Sequence, residues 1–264
     1  METTKKMAEE EKLNVKNLHL YKVDLCDSTA IYKVAELVKQ QLGPLDILIN
    51  NAGVVSGQNF LDIPDGKIDL TFKVNCLAHF YTIKAFLPDM IKRRSGHIVT
   101  VASVAGRIGV CGLSDYCASK FANIGMDLSL RMELAKANLD GHINTTIVQP
   151  YFITTGMFGG VDPGIFEFLK PEFVVDKIMQ AILTNSVQVV VPNYFDWVLC
   201  FVPSLPHNCL SIVYDFIGGF EFMANFHGRN LPSKTMKTNG VKDEEINNNM
   251  ANMINQNVVD NNHK

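Results

Sequence analysis

The feature that most constrains the fold is the regular alternation of short apolar runs with longer amphipathic stretches. The runs at 45–50, 96–101 and 142–148 are rich in Ile and Val and contain little alternation with polar residues. Strands of this kind are typical of a parallel sheet that is covered on both faces, and the amphipathic stretches between them are typical of crossover helices. The sequence therefore predicts an α/β fold built on a doubly wound parallel sheet.

Further elements follow from the same periodicity and from turn signals. Ser28 is the predicted N-cap of the first long helix, which Gly43 ends. Two more strands are predicted, at 18–24 and 188–191. Helices are predicted at 3–12, 29–41, 65–94, 115–137 and 173–183.

The chain divides into three parts by composition. Residues 1–192 carry the βα pattern and form the predicted catalytic domain. Residues 193–231 are strongly apolar, and no basic residue lies between Lys177 and Arg229. Prolines interrupt this segment, so we expect either a lid and dimer-facing surface or a peripheral contact with lipid, rather than a spanning helix. Residues 232–264 are polar and rich in asparagine, and we expect a disordered tail.

Composition excludes several classes of function. The net charge is −3, which gives no global electrostatic attraction to nucleic acid, so no nucleic-acid partner is expected. The six cysteines form no C-x-x-C pair and the histidines form no H-E-x-x-H motif, so no metal site is expected. Free thiols in an intracellular compartment are the simplest interpretation of the cysteines.

Four polar groups occur in a fixed order and carry the candidate chemistry. NNAG ends at Gly53, Asn75 lies in VNCLAHF, Ser103 follows the strand GHIVTV, and Tyr116 precedes Lys120 by four residues in DYCASKFA. Residues four apart share one face of a helix. A tyrosine can exchange a proton with an alcohol or carbonyl oxygen if its high pKa is lowered, and a neighbouring ammonium group favours the phenolate. A serine at the strand end can hold the substrate oxygen.

Each of these motifs alone has a simpler structural explanation, because Y-x-x-x-K is common on solvated helix faces and NNAG is an ordinary turn. Together and in this order they resemble the short-chain dehydrogenase/reductase family over approximately residues 15–191. GHIVTVASVAG and GLSDYCASKFA further resemble its membrane-associated retinol dehydrogenase and 17β-hydroxysteroid dehydrogenase branch. The resemblance implies a Rossmann-like fold, NAD or NADP as cofactor and a homodimer.

The resemblance also implies roles for individual residues. Tyr116 would donate and accept the proton, Lys120 would bind the nicotinamide ribose and lower the tyrosine pKa, Ser103 would orient the substrate oxygen, and Asn75 would anchor a relay water near Lys120. Tyr151 stands where the family usually has a glycine. The cofactor-binding residues implied by the resemblance are Asp24, Leu25, Asn51, Ala52, Gly53, Tyr116, Lys120, Pro150, Ile153 and Thr155.

The family's opening strand, its T-G-x-x-x-G-x-G loop, the first helix and the second strand have no counterpart before Asp24. That loop holds the cofactor pyrophosphate with backbone N–H groups. We therefore expect weak or absent binding of NAD(H) and NADP(H) by a protein of this length. The resemblance implies the endoplasmic reticulum membrane or a lipid droplet as location, or the cytoplasm if a hydrophobic anchor is missing.

Two functions from different classes remain open from the sequence. The first is an NAD(P)-dependent oxidoreductase that interconverts a lipophilic alcohol, of retinol, steroid or fatty alcohol type, and its carbonyl. The second is a catalytically silent relative that acts by binding or dimerisation. The four polar groups favour the enzyme, and the absence of a glycine loop before Asp24 favours the silent form.

Overall fold

A computed structural model describes residues 6–7, 10 and 17–228, without the side chains of residues 203 and 207. Its described part contains one sheet of four parallel strands in the order β1-β2-β3-β4. The strands are Ile47–Asn50 (β1), Gly96–Val101 (β2), Ile143–Pro150 (β3) and Gln188–Val191 (β4). The parallel α/β architecture predicted from the apolar runs is confirmed.

Seven α-helices precede, connect or follow these strands in the described part of the chain. They are Ser28–Leu42 (α1), Asp65–Phe72 (α2), Ala78–Arg93 (α3), Ser114–Lys136 (α4), Pro171–Leu183 (α5), Tyr194–Phe201 (α6) and His207–Phe216 (α7).

Both faces of the sheet are covered, which explains the unbroken apolar runs in the strands. On one face Leu48, Ile98 and Ile143 pack with side chains of α1, α3 and α4. On the other face Val99 and Val148 pack with side chains of α5. Alternate residues of each strand thus contact different helix layers.

Two predictions about individual elements are wrong. Residues 18–24 form no strand, because within the described chain β1 pairs only with β2 and no further strand lies beside 18–24. The cap of α1 is Asp27 rather than Ser28, since its carboxylate accepts the backbone N–H groups of Thr29 and Ala30 at 2.8 and 3.2 Å.

The predicted helical region at 65–94 is confirmed. It consists of α2 and α3 joined by a π-helical turn, Lys73–Leu77, which contains Asn75.

The apolar C-terminal segment folds back over the carboxyl edge of the sheet. Phe222 packs with Phe152 and Val161 in one buried cluster. A side chain at Gly160 would overlap the carbonyl oxygen of Asn225, and the positive φ of Gly160 also favours glycine. Within residues 17–228, no helix has both the length and the apolar character needed to span a bilayer.

The predicted helix at 3–12 lies largely outside the described residues, and the predicted disordered tail at 232–264 lies wholly outside them.

Candidate active site

The carboxyl ends of the parallel strands bring the predicted motifs to one edge of the sheet. Asn50 ends β1 and leads into Asn51, Ala52 and Gly53, while Ser103 follows β2 by two residues. Pro150 ends β3. The sequence-distant motifs therefore converge because parallel strands end at the same edge.

Tyr116 and Lys120 lie on one face of α4, as their spacing predicts. Both side chains are buried, and the Lys120 amine lies 5.6 Å from the centroid of the Tyr116 ring. Both residues line the same cavity as Ser103. The three groups needed for proton exchange with a substrate oxygen are thus brought together.

The structure reverses the expected direction of the Tyr116 pKa. Burial raises the pKa of Tyr116 above its ordinary value, and hydrogen bonding with Ser103 acts in the opposite direction. The expected lowering by Lys120 is absent, because the amine donates to the backbone oxygen of Val101 at 2.9 Å instead of contacting the phenol oxygen. In this state the tyrosine is a neutral proton donor.

Lys120 is buried in the site between the end of β2 and the loop after β1. Burial lowers the pKa of Lys120 to about 8. Gly53 lies directly beside it, since a β-carbon built on Gly53 would be 3.7 Å from the amine and 3.5 Å from the Asn75 side-chain oxygen. The ammonium has three N–H groups and Val101 accepts one of them, so two remain for a ligand.

Ser103 caps the short 3-10 turn Val104–Gly106. Its hydroxyl accepts the Ala105 N–H at 3.1 Å and donates to the Pro150 carbonyl at 3.3 Å. These two bonds fix the side chain between β2 and β3, where its hydroxyl faces Tyr116. A serine held this way can orient a substrate oxygen.

Asn75 stabilises the loop after β1 through hydrogen bonds to its backbone. Its Oδ1 accepts the Val54 N–H at 2.8 Å, and its Nδ2 donates to the Val54 carbonyl and to Ser119 Oγ at 2.9 and 3.0 Å. The backbone carbonyl of Asn75 accepts from Asn123 at 2.8 Å. Its side chain is therefore engaged with protein groups, and the water-anchoring role implied by the resemblance stays a prediction.

Most of the predicted cofactor-binding residues line one cavity of about 170 Å³. They are Asn51, Gly53, Tyr116, Lys120, Pro150, Ile153 and Thr155. Ala52, Asp24 and Leu25 do not line it. Asp24 instead accepts the Cys26 N–H at 2.9 Å within its own turn.

Three phenylalanines that the sequence analysis did not identify also line the cavity and form an aromatic wall. Phe152, Phe158 and Phe222 pack edge to face, with ring centroids 4.9 Å apart for Phe152 and Phe158 and 6.1 Å for Phe152 and Phe222. Phe158 also meets the Tyr116 ring edge to face at 5.7 Å. The sequence shows that these residues are apolar, but no local pattern in it indicates that they meet at the cavity.

A second missed group surrounds Asp115, the residue before Tyr116. The buried Asp115 carboxylate accepts hydrogen bonds from Ser56 Oγ at 2.7 Å and from Thr71 Oγ1 at 2.8 Å. Asp115 also lies in the first turn of α4, where negative charge is favoured. These bonds join the loop after β1, helix α2 and helix α4.

Comparison with known proteins decides the family. The short chain dehydrogenase family model matches residues 1–164, which is more than half of the chain. The chain belongs to the short chain dehydrogenase family. The family's members are oxidoreductases that act on CH–OH groups with NAD or NADP.

Curated relatives lie in the retinol dehydrogenase branch of this family. The chain is 42% identical to epidermal retinol dehydrogenase 2 of Mus musculus over 80% of its own length and 69% of that protein. It is 44% identical to retinol dehydrogenase 10-B of Danio rerio over 79% of its own length and 63% of that protein. The chain thus spans about two thirds of the length of these relatives.

Solved structures agree on the fold. A short-chain dehydrogenase from Streptomyces avermitilis has a TM-score of 0.57 at 22% identity, covering 70% of this chain and 76% of that one. A metagenomic short-chain oxidoreductase in complex with NADP has a TM-score of 0.52 at 27% identity, covering 64% and 71%.

The residues of this site fit the nicotinamide end of such a cofactor. Lys120 lines the cavity and has two N–H groups that Val101 does not engage, and Gly53 lies beside its amine. Within residues 17–228 and the three described residues before them, no cluster of three or more His, Cys, Asp or Glu side chains offers a metal site.

Proposed function

We propose that this chain catalyses the NAD(P)-dependent interconversion of a lipophilic alcohol and its carbonyl. One observation carries the proposal: Tyr116, Ser103 and Lys120 form the polar end of a cavity whose other walls are apolar and aromatic. A substrate with a single oxygen and a long apolar body fits a cavity with one polar end and apolar walls. Similarity to retinol dehydrogenases supports the same substrate class.

The chain's own residues divide the chemistry between them. NAD or NADP, when bound, would supply the hydride acceptor or donor for the carbinol carbon. Tyr116 exchanges the proton with the substrate oxygen, and the Ser103 hydroxyl turns its one proton from the Pro150 carbonyl to this oxygen and orients it. Lys120 and Thr155 would hold the nicotinamide ribose and carboxamide, and Asn75 keeps the loop that carries Gly53 in place. The aromatic wall excludes water from the reacting atoms.

The burial of Tyr116 supports a further step in this mechanism. A positive charge brought close to the phenol would oppose the effect of burial and make the proton easier to release. The Lys120 ammonium lines the same cavity, so the pKa of Tyr116 is expected to fall if the amine turns from the Val101 carbonyl toward the phenol oxygen. The tyrosine would then act as a base in alcohol oxidation and as an acid in carbonyl reduction.

Replacement of Tyr116 by Phe tests this function. Hydride transfer is followed at 340 nm with retinol and with a steroid alcohol, using NAD and NADP in turn. We expect the Phe variant to lose a factor of about 10² to 10⁴ in kcat. Tyr194→Phe, an exposed tyrosine on α6, is the matched control and should retain the parent rate. Equal background rates in parent and Tyr116→Phe would contradict the proposal and favour a silent binding relative.

We also propose a homodimer built on helices α3 and α4. Both helices expose large apolar side chains on the surface away from the sheet, namely Phe80 on α3 and Phe121, Leu128 and Met132 on α4. Sedimentation analysis should give a dimer for the parent and a monomer for Phe121→Glu. A monomeric parent would contradict this arrangement.

A peripheral lipid contact is proposed for α6 and α7. Trp197, Phe201, Ile212 and Phe216 are each exposed by about two thirds or more, and no basic residue accompanies them. Such a surface suits the interface of the endoplasmic reticulum membrane or of a lipid droplet. The parent should float with neutral liposomes, whereas Trp197→Ser with Phe216→Ser should remain at the bottom of the gradient. A parent that stays at the bottom would contradict lipid contact.

A further inference from the structure

A layer of buried polar side chains lies between the sheet and helices α3 and α4. Asn50 and Thr100 are partners in register on β1 and β2 and share the sheet face of Leu48 and Ile98, which pack against these helices. His79 projects from α3 and Asn123 from α4; both are buried. An otherwise apolar interface thus contains four fully or almost fully buried polar side chains.

These side chains leave four polar atoms without a hydrogen-bond partner in the described part of the protein. They are Asn50 Nδ2, Thr100 Oγ1, Asn123 Oδ1 and one ring nitrogen of His79, whose other nitrogen approaches the backbone of Ala52. Each such atom destabilises the folded state unless something satisfies it. Single unsatisfied groups occur in many proteins, but four atoms on facing elements require a common explanation.

The orientation of Asn123 is fixed by chemistry. Its amide nitrogen donates to the backbone carbonyl of Asn75 at 2.8 Å, and a carbonyl can only accept. Its Oδ1 therefore points away from that carbonyl. Asn50 lies 2.8 Å from Thr82 Oγ1, a hydroxyl that can donate or accept, so one atom of the Asn50 amide is left without a partner in either orientation. The Oδ1 of Asn123 is thus held in place rather than free to turn toward a protein donor.

The layer lies directly behind Lys120. Asn123 follows Lys120 by three residues and His79 follows Asn75 by four, so each lies one turn deeper on its helix than a residue of the active site. The positive charge of Lys120 adds to burial in lowering the pKa of His79, to about 3, and the backbone of Ala52 opposes this shift. His79 is consequently neutral, with one ring nitrogen that donates and one that accepts.

We propose that this layer holds ordered water molecules behind Lys120, and that His79 and Asn123 are the residues that position them. The set combines donors with acceptors and carries no acidic side chain, which suits water and does not suit a metal cation. The water hydrates the inner side of the Lys120 ammonium and so reduces the cost of burying a charged lysine beneath the cofactor site. This role goes beyond the proposed reaction and does not depend on it.

A crystal structure of the parent, at a resolution that shows ordered solvent, tests the proposal directly. We expect at least one water within hydrogen-bond distance of both Asn123 Oδ1 and a ring nitrogen of His79. The inference is overturned if that position has no density, or if the His79 ring bonds directly to Asn123.

Thermal unfolding of apolar variants gives a second test that needs no activity. If water satisfies the layer, His79→Phe and Asn123→Leu each leave the other partners unsatisfied, and each should lower the Tm by roughly 2–4 °C. The double variant should lose less than the sum of the two. A rise in Tm for both single variants would overturn the inference, since a dry apolar layer is then preferred. His97→Phe is the matched control, because His97 bonds directly to Thr146 at 2.8 Å and its loss should leave the water at Asn123 in place.

A conservative variant separates positioning from general packing. His79→Gln keeps one donor and one acceptor, so it should retain the water and recover most of the parent Tm, unlike His79→Phe. In an active enzyme, His79→Phe should lower kcat by roughly tenfold, with KM for the alcohol unchanged. A loss confined to KM would overturn the positioning role. An inactive parent would contradict the proposed function alone, because the water and Tm measurements stand without it.

Discussion

The two halves of the site are built on different principles. The chemical half, around Lys120 and Asn75, consists of buried polar groups joined by hydrogen bonds of 2.8–2.9 Å to backbone atoms at the end of β2 and in the loop after β1. The substrate half, around Phe158 and Phe222, consists of aromatic rings that pack edge to face without directional polar contacts.

The two halves of the site are expected to respond differently to amino-acid substitutions. Hydrogen bonds to backbone fix a polar side chain to one position, so a substitution leaves groups unsatisfied. Edge-to-face packing is less directional, so a small change of shape is partly absorbed by neighbouring rings, whereas loss of a whole ring leaves a cavity. We expect the chemical half to determine whether the reaction occurs and the substrate half to determine which alcohol is accepted.

Phe222→Ala should give the largest loss of stability among the variants that compare the two halves. Phe222 is buried against Phe152 and Val161, so the substitution opens a cavity and should cost about 3–5 kcal/mol in the free energy of unfolding. KM for a bulky alcohol should rise while kcat for a small one is kept, as measured with a series of alcohols. Phe220→Ala, at a half-exposed ring, is the control. An equal rise in KM for every alcohol would show that the wall does not select substrates.

Lys120→Met should change how the free energy of unfolding depends on pH. The pKa of Lys120 falls from its ordinary 10.5 to about 8 in the folded protein, so between these values the unfolded chain binds more protons than the folded one. The stability contributed by this group therefore rises as the pH increases from about 8 to 10.5. Urea melts across that window should show the rise in the parent and a flatter profile in Lys120→Met.

Lys84→Met, at an exposed lysine of α3, is the control for that titration and should keep the parent profile. If Lys120→Met retains the full rise with pH, another group is responsible, and the buried lysine does not carry the charge assigned to it.

Thr71→Val should have the smallest effect. The substitution removes one of two hydroxyl donors to the buried Asp115 carboxylate and should cost about 1.5–3 kcal/mol in denaturant melts. Thr154→Val, at an exposed hydroxyl, should cost little. No loss in Thr71→Val would mean that Ser56 alone satisfies Asp115, and that the junction of the loop, α2 and α4 is held mainly by packing.

The sequence by itself determined the parallel α/β architecture and the motif residues of the chemical half. Strand periodicity depends on local spacing, and Tyr116 and Lys120 must share a helix face because they are four residues apart. The sheet order then brings Ser103 and Gly53 to them, since parallel strands end at one edge.

The tertiary structure decided what depends on burial and on contacts between distant segments. Local spacing suggested that Lys120 acidifies Tyr116, but burial raises the tyrosine pKa and the amine bonds to Val101. The contact of Phe152 with Phe222 joins residues 70 positions apart, and no periodicity encodes it. Desolvation and long-range packing depend on the whole arrangement of neighbours in space, which is why the folded chain alone reveals them.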